Sequence, residues 1–328
     1  MSAKKQGKVV FLGTGGTIAG TASDASDNVG YSAAQVAVDQ LLASVPRLKS
    51  QLDGRVLVSE QVAQVDSKDM GFVEWAALHA RIQDHLADRD VVGIVVTHGT
   101  DTLEETAFFL SRTLSTVGLS EKPVVLTCAM RPASSMTPDG PQNLLDAVAL
   151  VLTPGAHGVM AVCAGTVHDA AHVRKVHTYK LDAFDSGEAG PLGFVEEGLV
   201  RQLHPWPGVH QGLTLQFEPK AGHVWPRVDV VMNYAGASGA MVRALCADAS
   251  TEAHPLRGIV VAGTGNGTIQ ADLESALREA QELGIRVVRC SRCANGAVIA
   301  ASASDALPHA GALSPVKARI ALILELMG

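Results

Sequence analysis

Two turns in this chain place threonines where they could act as nucleophiles. The stretch Val9–Gly20, "VVFLGTGGTIAG", is an apolar run that breaks into glycines and presents Thr17. A second stretch, "THGTDTLEET", gathers Thr97, Thr100, Asp101 and Thr102 around Gly99, between an apolar run and a helical pattern. A threonine hydroxyl needs a partner before it can attack, and hydroxyls, carboxylates or an amine can supply one. Each turn also has a rival reading. A dinucleotide-binding turn requires G-x-G-x-x-G followed at once by a helix. Gly13 and Gly15 fit that pattern, but its sixth position is Ile18 and the chain continues as the polar loop "TASDASDNVGYS". In the second turn, Asp101 or Thr102 could serve only as a helix N-cap, with Glu104 and Glu105 favouring the first turn electrostatically.

The elements that must position these turns alternate along the chain. Short β-branched runs occur at Val9–Leu12, Val56–Ser59, Val91–Val96, Pro123–Cys128 and Gly158–Ala164. Between them Phe72, Trp75, His79, Ile82 and Leu86 recur at steps of three and four, as do Leu103, Ala107 and Leu110, so they read as core stripes of crossover helices. That alternation argues for an α/β fold, a parallel sheet covered on both faces. Ligands of such sheets bind beyond the carboxyl ends of the strands, which is where Thr17 and Thr100 fall. The expected organisation is an N-terminal α/β domain over 1–199, a proline-containing connector over 200–227, and a smaller C-terminal α/β domain over 228–328. The last of these alternates "VDVVMNY", a helix from about Ser238, "GIVVAG", a helix near Asp272–Leu283, "IRVVRC" and a terminal helix opened by Ser314–Pro315.

Composition narrows the function. The chain has 328 residues, 47% hydrophobic, with a net charge of −7 and no basic block beyond Lys4–Lys5, so nucleic acid and anionic membrane are not expected partners. No apolar run reaches the roughly 18–20 residues of a membrane span, and the N-terminus lacks the long apolar core of a signal peptide, so a cytoplasmic location is expected. Five cysteines make no secreted disulfide framework. Cys290-x-x-Cys293 without a second pair is a weak metal signal, and His168, His172 and His177 lack the glutamate of an H-E-x-x-H motif; no metal site is expected.

Together, "TGGTIAG" and "THGTDTLEETA" resemble the two signatures of the bacterial-type L-asparaginase family. The similarity continues through "VDSKDM", "AMRPASSMTPDGPQNL", "TVHDAAHVRK" and "LSPVKARI", covering nearly the whole chain. The resemblance implies a larger N-terminal flavodoxin-like domain and a smaller C-terminal α/β domain. It implies a homotetramer of intimate dimers, with the C-terminal domain completing a neighbouring subunit's site. It further implies hydrolysis of L-asparagine to L-aspartate and ammonia without cofactor or metal. Matched position by position, Thr17 is the attacking threonine and Tyr31 the tyrosine of a closing loop. Thr100, Asp101 and Lys175 are the second threonine, the aspartate and the lysine. Ser67 binds the α-carboxylate, Asp101 holds the α-ammonium, and the backbone amides of Thr100 and Ala129 receive the oxyanion. Asp66, Lys68 and Gly99 complete the expected substrate-binding set.

Three departures bear on substrate preference. Lys68 stands where many secreted members of the family carry glutamine or glutamate, and it either points to solvent or lies near the substrate head group. The family's "YAN" becomes "YAG" at Gly236, and its interface glutamate falls at about Ala303, with Asp305 nearby. A broader asparaginase–glutaminase or other ω-amidase, and a catalytically silent amino-acid sensor using the same pocket, are the competing readings.

Overall fold

The computed structural model describes residues 7–208, 224–248, 255–300 and 307–328. The chain divides into two compact units, Met1–Pro219 and Lys220–Gly328.

The larger unit is built on strands β1 (Lys8–Gly15), β2 (Val56–Val65), β3 (Val91–Thr97), β4 (Pro123–Thr127), β5 (Gly158–Cys163), β6 (Thr166–Asp169), β7 (Arg174–Lys175), β8 (Phe184–Asp185), β9 (Gly193–Glu196) and β10 (Leu199–Gln202). Its helices are α1 (Val38–Ala43), α2 (Leu48–Gln51), α3 (Phe72–Ala87), α4 (Leu103–Thr113), α5 (Thr116–Leu119) and α6 (Gly140–Val151). Eight strands form one sheet in the order β10-β9-β6-β5-β4-β3-β1-β2. From β2 to β5 the pairing is parallel in the order 2-1-3-4-5, the flavodoxin-like arrangement.

The sheet is parallel through β5 as expected, and beyond it β6, β9 and β10 pair antiparallel. The cause is loop length: only Ala164 and Gly165 separate β5 from β6, and a parallel return needs a crossover of a dozen residues or more. Val200–Gln202, placed in the connector by the sequence reading, belong to β10 and close a hairpin with β9.

Strand alternation sorts the core. Val9 and Phe11 of β1 pack with Leu41 and Leu42 of α1 and with Leu144, Val148 and Leu150 of α6 in one apolar cluster. Residues 9–12 are fully buried, as expected for a central strand covered on both faces.

The smaller unit has a three-stranded parallel sheet, β11 (Arg227–Met232), β12 (Leu256–Gly263) and β13 (Arg286–Ser291), with helices α7 (Ala240–Asp248), α8 (Ala271–Glu282) and α9 (Pro315–Met327). Ile259 and Val261 join Val242 of α7 and Leu273, Ala276 and Leu277 of α8 in its core. Gly258, one step along the strand and so on the other face, abuts Leu322 of α9. Ser314 caps α9, its hydroxyl accepting the Lys317 amide, as the Ser-Pro start predicts.

Candidate active site

The site assembles where β1 and β3, neighbours in the sheet, both end in glycine-rich turns. Gly15 and Gly16 take positive φ of 100° and 81°, a region open to glycine, and the chain then enters a short 3₁₀ turn at Thr17–Ala19. The two turns touch through bare backbone: a Cβ on Gly16 would overlap the Cα of Gly99, and one on Gly99 would overlap the Ser67 side chain. Thr14 ties the strand ends together, its hydroxyl donating to the Thr97 carbonyl at 2.9 Å.

Thr17 is buried, and its Oγ1 lies 2.6 Å from the Tyr31 hydroxyl. The loop carrying Tyr31 is latched across residues 132–136. Ala133 N–H donates to the Gly20 carbonyl, Met136 N–H to the Ala25 carbonyl, and the Ser135 hydroxyl lies 2.7 Å from Asn28 Oδ1. Burial pushes the Tyr31 phenol above its ordinary value; the bond to Thr17 opposes this, and the charges of Asp101 and Asp66 add to it. Tyr31 is therefore a neutral phenol at neutral pH, able to donate or accept a hydrogen bond beside Thr17.

A second group forms around Thr100. Lys175 Nζ donates to Thr100 Oγ1 at 2.8 Å and to Asp101 Oδ1 at 2.5 Å. Lys175 is held on β7, which pairs with Phe184 of β8, and its backbone N–H donates to Glu104 Oε1 at 3.4 Å. The N-cap reading of this turn is corrected in one respect. Thr102 occupies the cap position of α4, but its hydroxyl donates to the Ser67 carbonyl at 2.7 Å instead of capping the helix.

Ser67 opens a 3₁₀ turn, Ser67–Asp69, with its Oγ accepting the Asp101 amide at 3.2 Å, so the "VDSKDM" block is bound to the Thr100 turn. Asp66 caps that turn through the Lys68 amide. Lys68 Nζ pairs with Asp66 Oδ2 at 2.9 Å and Asp69 Oδ2 at 2.8 Å, and both carboxylates hold its pKa above the ordinary lysine value. Its side chain is 62% exposed, so the ammonium is held at the solvent edge by its own turn. Ala129 follows β4, buried beside Ile18 and Gly140. Among the described residues, neither the Thr100 nor the Ala129 backbone N–H donates a hydrogen bond within the chain.

The sequence reading missed His98. It is fully buried, one residue before Gly99, with Nδ1 2.8 Å from the Gly99 carbonyl and Nε2 2.9 Å from Thr106 Oγ1. It also missed the approach of Cys128 to Cys163, whose sulfurs lie 3.1 Å apart as free thiols. His168 pairs with Ser186, and His177 accepts from the Tyr179 and Lys180 amides. The described residues contain no group of three potential ligands that could hold a metal ion. Gly236 takes a positive φ of 79°, while Ala303 and Asp305 lie outside the described residues.

Comparison with known proteins shows the family. The description "Asparaginase, N-terminal" matches residues 8–206, and "Glutaminase/Asparaginase C-terminal domain" matches 227–327. The chain belongs to the asparaginase family. It is 37% identical to L-asparaginase 2 of Escherichia coli over 324 residues, 97% of this chain and 88% of the relative. It is 35% identical to a glutaminase-asparaginase of Pseudomonas fluorescens, with 98% and 87% covered. The crystal structure of a probable cytoplasmic L-asparaginase from Campylobacter jejuni superposes with a TM-score of 0.86 at 35% identity, covering 98% of this chain and 95% of that one. As a member of the asparaginase family the chain is an amidohydrolase. No helix among the described residues is long and apolar enough to cross a membrane.

Proposed function

We propose that this asparaginase-family chain hydrolyses the side-chain amide of L-asparagine in two steps, with Thr17 as nucleophile. The observation that carries the reading is the 2.6 Å contact of Thr17 with Tyr31 beside a Thr100–Lys175–Asp101 group, both at the ends of adjacent strands. Thr17 Oγ1 attacks the amide carbon as its proton passes to the Tyr31 oxygen and the phenol's own proton moves on to the departing amide nitrogen, so Tyr31 stays neutral, and the tetrahedral oxyanion accepts hydrogen bonds from the Thr100 and Ala129 N–H groups. Collapse forms an aspartyl ester on Thr17 and releases the amide nitrogen, protonated, as ammonia. Water then cleaves the ester, freeing L-aspartate and restoring the hydroxyl.

Ser67 holds the α-carboxylate and Asp101 the α-ammonium through the oxygen that Lys175 leaves open. Lys175 favours the deprotonated Thr100 hydroxyl by its positive charge. Asp66, Lys68 and Gly99 line the head-group side.

Glutamine is the poorer substrate in this reading, since Gly236 offers no amide to help hold the amino-acid head. The named relatives include glutaminase-asparaginases, which makes the comparison informative. The working form is a cytoplasmic homotetramer in which residues 228–328 of one subunit complete the site of another. Likeness to the probable cytoplasmic enzyme of C. jejuni supports the location. Ammonia release measured side by side on L-asparagine, L-glutamine and D-asparagine tests the assignment. A kcat/KM for asparagine well above the others is expected; equal values for asparagine and glutamine overturn the preference, and no ammonia from any overturns the function.

A further inference from the structure

We infer that His98 is a positioning residue, the last link of a buried relay from Trp75 through Thr106 that locks the peptide presenting the Thr100 N–H. The inference rests on the proposed role of that N–H in receiving the oxyanion.

The proton positions along the relay are determined by chemistry. Trp75 Nε1 can only donate, and it donates to Thr106 Oγ1 at 2.9 Å. His98 Nδ1 faces the Gly99 carbonyl, which can only accept, so Nδ1 carries a proton. Complete burial pushes the imidazole pKa down to about 4, so at neutral pH the ring holds a single proton and Nε2 is bare. Thr106 therefore accepts from Trp75 and donates to His98 Nε2, and every polar atom in the line is matched. The indole is itself fixed by stacking on Phe109, with centroids 4.8 Å apart and planes 10° from parallel.

The Gly99 carbonyl and the Thr100 N–H belong to one peptide unit. That unit is planar and trans, so the N–H points opposite to the carbonyl that His98 grips. The grip is needed because residue 99 has to be glycine: a Cβ there would overlap the Ser67 side chain, so the turns can meet only without one. Glycine makes the adjoining torsions soft, and the peptide could rotate at little cost. The bond from His98 removes that freedom, and by polarising the carbonyl it strengthens the N–H as a donor. The Thr100 N–H has no acceptor among the described residues, so a fixed donor is held ready for substrate. Among the described residues no other buried histidine grips a site peptide in this way: His79 Nε2 lies 3.2 Å from the Thr113 carbonyl and His168 Nδ1 lies 2.8 Å from Ser186 Oγ, both away from the turns.

The test compares His98→Leu, His98→Asn and Thr106→Val with the unaltered chain and with Thr17→Ala. Asparagine places its amide nitrogen near the position of Nδ1, so His98→Asn can still donate to the Gly99 carbonyl. Losing or misplacing one oxyanion donor costs on the order of 10²-fold in rate, so His98→Leu is expected to lower kcat about 10²-fold with KM nearly unchanged. His98→Asn should recover at least about tenfold of that loss, and the affinity for L-aspartate should be unaltered throughout. Nitrogen-15 spectra of histidine-labelled protein should show His98 as the neutral Nδ1–H tautomer from pH 6 to 8, a readout that stands even where a variant fails to fold. An Nε2–H tautomer, an unaltered kcat in His98→Leu, or no recovery in His98→Asn overturns the relay. If Thr17→Ala keeps full activity, the reading of the site fails instead.

Discussion

The ammonium of Lys175 lies 2.8 Å from the hydroxyl of Thr100, so a residue on the short strand β7 reaches the turn after β3 from 75 positions away. The same nitrogen is anchored to Asp101, which keeps it from swinging to solvent. Replacing Lys175 by methionine preserves most of the side-chain volume and removes the charge. The expected outcome is a loss of kcat of about 10³-fold or more, with the far-ultraviolet circular dichroism spectrum unchanged. An activity within tenfold of the original would show that Thr100 needs no cation.

Gly16 offers a steric prediction. Gly16→Ala meets two penalties, a backbone at φ 81° and ψ −172° that costs a side-chain-bearing residue about 1–3 kcal/mol and a Cβ that would overlap Gly99. Gly155→Ala is the control, because it carries the same kind of φ, 78°, with open space around it. Gly155→Ala should lower Tm by a few degrees and leave kcat alone, whereas Gly16→Ala should also abolish ammonia release. Equal effects in the two variants would mean that the turns need not touch.

At position 68 the structure changes the basis of the argument. Its ammonium is bound by Asp66 and Asp69, so its effect on an incoming α-ammonium is chiefly to neutralise those carboxylates. Lys68→Gln releases their charge toward the substrate amine. KM for L-asparagine should fall by no more than about fivefold, the scale of an exposed ion pair, with kcat steady. A rise in KM would mean that the ammonium grips the α-carboxylate.

His98 also gives the fold a pH dependence. Its folded pKa, about 4, lies below the 6.5 of an exposed imidazole because burial disfavours the cation. The unfolded chain thus binds the extra proton first as pH falls, and stability drops from pH 6.5 toward pH 4. The loss from this one residue approaches about 3 kcal/mol at the acid end. His98→Asn does not titrate, so chemical denaturation from pH 7 to pH 4 should show a shallower decline than in the parent protein. Parallel declines would show that His98 is not buried as a neutral ring.

Much of the site was legible because its residues sit in short contiguous blocks. The apolar run before Gly13 and the one before His98 announce strands β1 and β3, and adjacent parallel strands bring Thr17 and Thr100 to the same edge of the sheet. The relay was not legible, since Trp75 and Thr106 lie on two different helices, where Trp75 reads as part of a core stripe and Thr106 carries no signal of its own; only the folded packing of α3 on α4 joins them to His98. The strands β6, β9 and β10 are four residues each, too short for a period of two to stand out. The fate of Lys68 was hidden for another reason. A spacing of one and two residues from Asp69 and Asp66 does not say whether a lysine folds back on its own turn.

The central claim is that Thr17 carries the acyl group, and rapid acid quenching tests it most directly. Enzyme mixed with excess L-asparagine, stopped within the first turnovers and digested, should yield the peptide containing Thr17 increased by the mass of one aspartyl group. The adduct should be absent from Thr17→Ala, which should also release ammonia at least about 10³-fold more slowly. An aspartyl adduct on Thr100 in place of Thr17, or a Thr17→Ala variant that turns over asparagine at the original rate, would contradict the account.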